Sequence, residues 1–127
     1  MPEVENKRIL LVDDEEEALV HLKKILERAK FNVITTTKGI EALNLAKLHH
    51  PDLIILDVFL PDLEGDEVAA QLAEDPACAD IPIIFLSGIV MTREDKFSGE
   101  KFGRHYILAK PVTPKEILDM ISKVFSA

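Results

Sequence analysis

Leu53-Ile54-Ile55-Leu56-Asp57 is the stretch on which the reading of this chain turns. Four apolar residues in succession, with no polar residue between them, predict a strand covered on both faces, as in the middle of a parallel sheet. The run stops at a carboxylate. The same pattern recurs on either side of it. Arg8-Ile9-Leu10-Leu11-Val12 stops at Asp13-Asp14, Ile81-Pro82-Ile83-Ile84-Phe85-Leu86 runs into Ser87-Gly88, and Tyr106-Ile107-Leu108-Ala109 stops at Lys110-Pro111. Phe31 to Thr36, β-branched and partly alternating, predicts the remaining strand, second in chain order.

Between these runs the period changes from strand-like to helical. Ala18, Leu19, Leu22, Ile25, Leu26 and Ala29 form one helix face, with Asp14 or a following Glu as its expected cap. Ile40, Leu43, Ala46 and Leu48 predict a second helix, ended by His49-His50-Pro51 because Pro disfavours the helical region for the residue before it. Val68, Ala69, Leu72 and Ala73 predict a third, closed by Asp75-Pro76. Residues 91–103 are the weakest helix candidate, interrupted by Ser98-Gly99. Ile117, Leu118, Ile121, Val124 and Phe125 predict the last. Five strands alternating with five helices imply an α/β fold, a parallel sheet with helices on both faces, since right-handed crossovers put them there.

The chain has 127 residues, one domain's worth, with a core expected over about residues 7–126 behind a polar tail at 1–6. A 47% apolar and 30% charged composition predicts a globular fold. The net charge of −8 argues against a nucleic-acid surface, which needs clustered Lys and Arg. No apolar run approaches the ~20 residues of a membrane span, so no membrane partner is expected. Cys78 is the only cysteine, which excludes an internal disulfide and fits a reducing, cytoplasmic setting. Cys78 itself reads as a small filler, and His49 and His50 as surface residues. Glu15-Glu16-Glu17 reads as a solvated first helical turn.

In open parallel sheets, functional groups collect beyond the carboxyl ends of the strands. Here that rule gathers Asp13, Asp14 and Asp57 with the Ser87 hydroxyl and the Lys110 ammonium. Taken singly, the three Asp residues read equally well as helix caps. Three adjacent carboxylates repel unless a cation joins them, and oxygen-only ligands favour a hard cation such as Mg²⁺. With no Cys or His at ligand spacing nearby, zinc is not expected. A cation, a Lys and a hydroxyl around one carboxylate make a site for an incoming phosphoryl group, with that carboxylate as nucleophile.

At these residues the sequence resembles the receiver domain of two-component response regulators. The matching pieces are Leu-Val-Asp13-Asp14, Leu-Asp57-Val-Phe-Leu-Pro61-Asp-Leu-Glu-Gly65, Ile-Pro82-Ile-Ile-Phe-Leu-Ser87-Gly and Ala-Lys110-Pro111, and they span nearly the whole chain. The resemblance implies a flavodoxin-like, doubly wound (βα)₅ fold with strand order 2-1-3-4-5. It implies Asp57 as phospho-acceptor and Asp13, Asp14, Asp57 and the Phe59 backbone carbonyl as the Mg²⁺ (or Mn²⁺) site, with Asp13 acting mainly through water. Ser87, Gly88 and Lys110 would hold the phosphoryl oxygens, and the Lys110–Pro111 bond would be cis. The implied donor is a histidine kinase or phosphotransfer protein. The implied output is a conformational change on the face formed by the fourth helix, fifth strand and fifth helix, where a downstream protein would dock around Tyr106, Lys101 and Phe102. No enzymatic activity is implied beyond self-phosphorylation and slow autodephosphorylation. Phe59 and Ile89, bulky and apolar, would flank the water's line of approach.

Two positions depart from the family pattern. Ile107 stands three before Lys110, where an aromatic switch residue is common. Tyr106 lies one residue earlier and, by strand alternation, on the opposite face. Phe59 stands where smaller or polar residues are frequent. Two rivals share the architecture. A flavodoxin-like cofactor binder needs a Ser/Thr/Gly-rich phosphate loop, and this chain has Asp-Asp-Glu-Glu-Glu there. A metal-dependent phosphohydrolase of the Asp-x-Asp type would need a second Asp where Phe59 stands.

Overall fold

The computed structural model describes residues 7–88 and 105–126. The strands are β1 (Arg8–Val12), β2 (Asn32–Thr36), β3 (Leu53–Asp57), β4 (Ile83–Ser87) and β5 (Tyr106–Ala109). The helices are α1 (Glu16–Arg28), α2 (Gly39–His49), α3 (Gly65–Glu74) and α4 (Pro114–Ser126). The helix expected over 91–103 lies outside the described residues, as do Ile89, Lys101 and Phe102, so the helix after β5 is numbered α4. All strand pairs are parallel, in the order β2-β1-β3-β4-β5. The fold is a flavodoxin-like parallel sheet.

Alternation along each strand divides the core into two layers. Ile9, Leu11, Leu53, Ile55, Ile84 and Leu86 pack with Leu19, Leu22 and Leu26 of α1 and Ile117, Ile121 and Val124 of α4. Leu10, Val12, Ile54, Leu56, Ile83 and Phe85 face α2 and α3, meeting Ala42, Leu43, Ala46, Val68 and Leu72. The central strands β3 and β4 are buried at every position, which is why they carry uninterrupted apolar runs. Burying a side chain such as Ile117 contributes roughly 1.5–3 kcal/mol. Tyr106 and Leu108 pack on the α1/α4 side and Ile107 on the α2/α3 side, as alternation requires.

Two boundaries shift from expectation. β4 begins at Ile83 rather than Ile81. Pro82 has no N–H to offer a ladder, although its carbonyl accepts the Ile54 N–H at 3.1 Å. α2 runs through His49 and ends with His50 in the left-handed region at φ 48°. Cys78 is buried, as a filler should be. Among the described residues, no helix is long and apolar enough to cross a membrane.

Candidate functional site

Asp13 directly follows β1, and Asp57 ends β3, its neighbour in the sheet. Since Val12 pairs with Leu56, the two carboxylates emerge side by side. Each continues the alternation that points Leu11 and Ile55 toward the α1/α4 layer. Both are withdrawn from solvent, Asp13 at 0% and Asp57 at 4% exposure. Lys110 follows β5, two strands from β3. Neighbouring strands lie about 4.8 Å apart, so its ammonium must cross about 10 Å, which calls for a long aliphatic stem. The stem passes Gly88, where an added Cβ would sit 3.9 Å from Lys110 Cδ. The Lys110 backbone N–H is held by the Ser87 carbonyl at 2.8 Å, and the Lys110–Pro111 peptide is cis.

The Lys110 Nζ donates to Asp57 Oδ2 at 2.9 Å and stands 3.0 Å from Asp13 Oδ2. The second contact is a close ion pair, so Lys110 bridges the two buried carboxylates. The other oxygen of each carboxylate is held locally. Asp13 Oδ1 accepts the Glu15 N–H and Asp57 Oδ1 accepts the Phe59 N–H, both at 3.0 Å. Asp13, rather than Asp14 or a Glu, therefore binds the backbone at the start of α1, where Glu15 makes no side-chain cap.

Burial raises the Asp57 carboxyl above its ordinary value. The Lys110 ammonium and the Phe59 N–H offset part of that rise, and the Asp13 charge adds to it. Burial also disfavours the Lys110 ammonium, but the Asp57 and Asp13 carboxylates outweigh it and hold its pKa above that of a free lysine.

Asp14 is exposed at the rim. One oxygen from each of Asp13, Asp14 and Asp57 lies within 4.8 Å of the others. The donor set is all carboxylate, and two of the three carboxylates are buried. A small hard cation suits both features. Ser87 is buried at the end of β4, and Phe59 projects its ring outward at 47% exposure. Beside the cluster a cleft of about 450 Å³ opens between α1 and the segment after β5, lined by Asp13, Glu15, His21, Gly88, Lys110 and Pro111 among others. The expected set of Asp13, Asp14, Asp57, Phe59, Ser87, Gly88 and Lys110 thus gathers at one edge of the sheet.

Asp62 was not singled out by sequence reasoning. It lies in the loop after Asp57, yet it accepts the Gly39 N–H at 2.8 Å and the Ile40 N–H at 3.0 Å at the start of α2. These bonds hold its carboxyl below the usual range. The legible signal was negative. Lys38, at the N-cap of α2, has no side chain able to cap, so a partner had to come from elsewhere.

Residues 9–122 match the response regulator receiver domain family. The alkaline phosphatase synthesis transcriptional regulatory protein PhoP of Bacillus subtilis is 42% identical over 112 residues, covering 88% of this chain and 45% of that protein. The polar-differentiation response regulator DivK of Brucella ovis is 31% identical over 115 residues, covering 91% of this chain and 93% of DivK. Among solved structures, a response regulator from Desulfuromonas acetoxidans superposes with a TM-score of 0.82 at 31% identity, covering 94% of this chain and 97% of that one. The Vibrio cholerae chemotaxis response regulator CheY4 superposes with a TM-score of 0.84 at 28% identity, covering 94% and 98%. The chain spans about half the length of PhoP and of two transcriptional regulators from Cyanophora paradoxa and Pyropia yezoensis, at 45%, 46% and 53%. This chain belongs to the receiver-domain family of two-component response regulators.

Proposed function

We propose that the chain takes a phosphoryl group onto Asp57 from a phosphohistidine on a histidine kinase or phosphotransfer protein, and that it does so only with Mg²⁺ or Mn²⁺ present. The observation that carries this reading is the convergence of Lys110 on Asp57 and Asp13 while three carboxylate oxygens lie within 4.8 Å of one another. A carboxylate oxygen of Asp57 attacks phosphorus, the P–N bond breaks, and its electron pair leaves with the imidazole. The Asp57 carboxylate thereby becomes an acyl phosphate. Lys110, already on the outer oxygen of Asp57, is placed to follow the charge onto a phosphoryl oxygen. Ser87 supplies a second donor from the end of β4. Asp13, Asp14, Asp57 and the Phe59 carbonyl would hold the cation, which offsets charge on the transferring group.

Beyond this self-phosphorylation no enzymatic turnover is proposed. Release of the phosphoryl group is expected to be slow, since the exposed Phe59 ring offers no hydrogen bond to position a water. The phosphorylated form would bias a conformational equilibrium on the face that includes β5 and α4, where a downstream protein docks. The reading assigns the chain to the cytoplasm. The test is intact mass after incubation with a small phosphodonor, with and without Mg²⁺. A single phosphoryl addition is expected only with Mg²⁺, and none in Asp57→Asn. Unchanged labelling in that variant would sink the assignment.

A further inference from the structure

The loop that leaves Asp57 is closed at its base. The Val58 carbonyl accepts the Gly65 N–H at 2.7 Å. A Cβ on Gly65 would come within 2.6 Å of the Asp57 carbonyl oxygen, so the two ends of the loop touch. At its tip, both oxygens of Asp62 hold the first two N–H groups of α2. Leu63 lies against the same helix start. A Cβ on Gly39 would stand 2.8 Å from the Leu63 carbonyl oxygen and 3.0 Å from Leu63 Cβ. Between Phe59 and Asp62 stand Leu60, buried in the α2/α3 layer, and Pro61, whose φ is locked. Between Phe59 and Asp62, then, Pro61 removes one soft dihedral and the buried Leu60 anchors the segment to the core.

We infer that Asp62 is a positioning residue for the metal site: its two bonds to α2 hold the loop so that the Phe59 backbone stays in place beside Asp57. The inference rests on the metal reading above and adds a residue to it. Asp62 is not among the proposed ligands of the cation or the phosphoryl group. It acts through the loop, as partners beyond the ligands commonly orient the ligands themselves. This explains why α2 carries no cap of its own while a residue 23 positions away supplies one to Gly39.

The test is calorimetric titration of the full chain with Mg²⁺, alongside thermal melting without metal. Asp62→Ala should weaken Mg²⁺ roughly tenfold, the lower end of what such partners usually contribute. Asp62→Asn, which keeps one acceptor, should fall between it and the native chain. Ala46→Gly loosens α2 from within and leaves the two Asp62 bonds intact. It should melt lower and bind Mg²⁺ as the native chain does. The inference fails if Asp62→Ala melts lower but binds Mg²⁺ normally, since Asp62 would then be a helix cap alone. It fails if Ala46→Gly loses as much affinity. It also fails if 1 M KCl, where the Debye length is about 3 Å, erases the Asp62→Ala difference, because a charge acting through solvent would account for it. A native chain that binds no Mg²⁺ overturns the metal reading together with this one, and is told apart from the other failures by that result.

Discussion

The turns after β1 and β3 begin alike and end differently. In each, an Asp at the strand end accepts the N–H two residues on through Oδ1 and turns Oδ2 toward Lys110. After Asp13 the chain enters α1 within three residues. After Asp57 it makes a longer loop, closed at its base by Val58 and Gly65 and tied at its tip to α2. Lys110 Nζ stands 2.9 Å from Asp57 Oδ2 and 3.0 Å from Asp13 Oδ2, so the two turns share its ammonium. A shared local motif therefore serves two purposes. The short turn sets a buried charge against Lys110. The long loop ties the segment after Asp57 to α2.

The largest effect should separate the two Asp residues outright. Asp57→Asn is expected to abolish phosphoryl addition, and Asp13→Asn to slow it while leaving Asp57 as the labelled residue. Peptide mapping of the labelled chain decides this, and a phosphoryl group found on Asp13 in Asp57→Asn would erase the distinction.

Lys110 is what the two turns share, so its removal should expose both. Lys110→Met leaves two buried carboxylates without their cation. Because the lysine is itself partly solvated, the cost is discounted to about 1–3 kcal/mol in metal-free buffer. Urea unfolding should show that loss, and Mg²⁺ should restore more stability to the variant than to the native chain. Equal restoration would mean that Lys110 and the metal do not answer the same charge.

Glycine substitutions test the closure of the long loop. In Gly65→Ala the new methyl meets the Asp57 and Val58 backbone, within 2.6 and 2.9 Å, which cannot yield as a side chain can. A loss of about 1–3 kcal/mol is expected, against almost none for Gly88→Ala, whose neighbour lies at ordinary contact distance. Comparable losses at both sites would undo the account of the loop base.

The smallest effect is in pH dependence. The Asp57 pKa is raised in the folded state, so the native state binds this proton more tightly than the unfolded chain. Ionised Asp57 therefore costs stability above its folded pKa. That cost disappears as pH falls through the folded value toward the unfolded one. In Mg²⁺-free buffer at neutral pH, Asp57→Asn should melt above the native chain, and the gap should close on acidification. A gap constant with pH would assign the change to packing instead of charge.

Much of this was legible in the chain itself. Uninterrupted apolar runs such as Leu53–Leu56 can be satisfied only by cover on both sides, and that dictates a central parallel strand. Strands that stop at Asp13, Asp57, Ser87 and Lys110 must present those groups at one edge, because parallel strands all end on the same side. Local spacing could not show which oxygen meets which donor. That Asp13 binds the Glu15 N–H, and that Lys110 crosses β4 to reach two carboxylates, depends on strand order and register. The capping of α2 by Asp62 was out of reach for the same reason. A helix start with no cap of its own shows that a donor is missing a partner, while the partner's identity is set by which loop the sheet brings alongside.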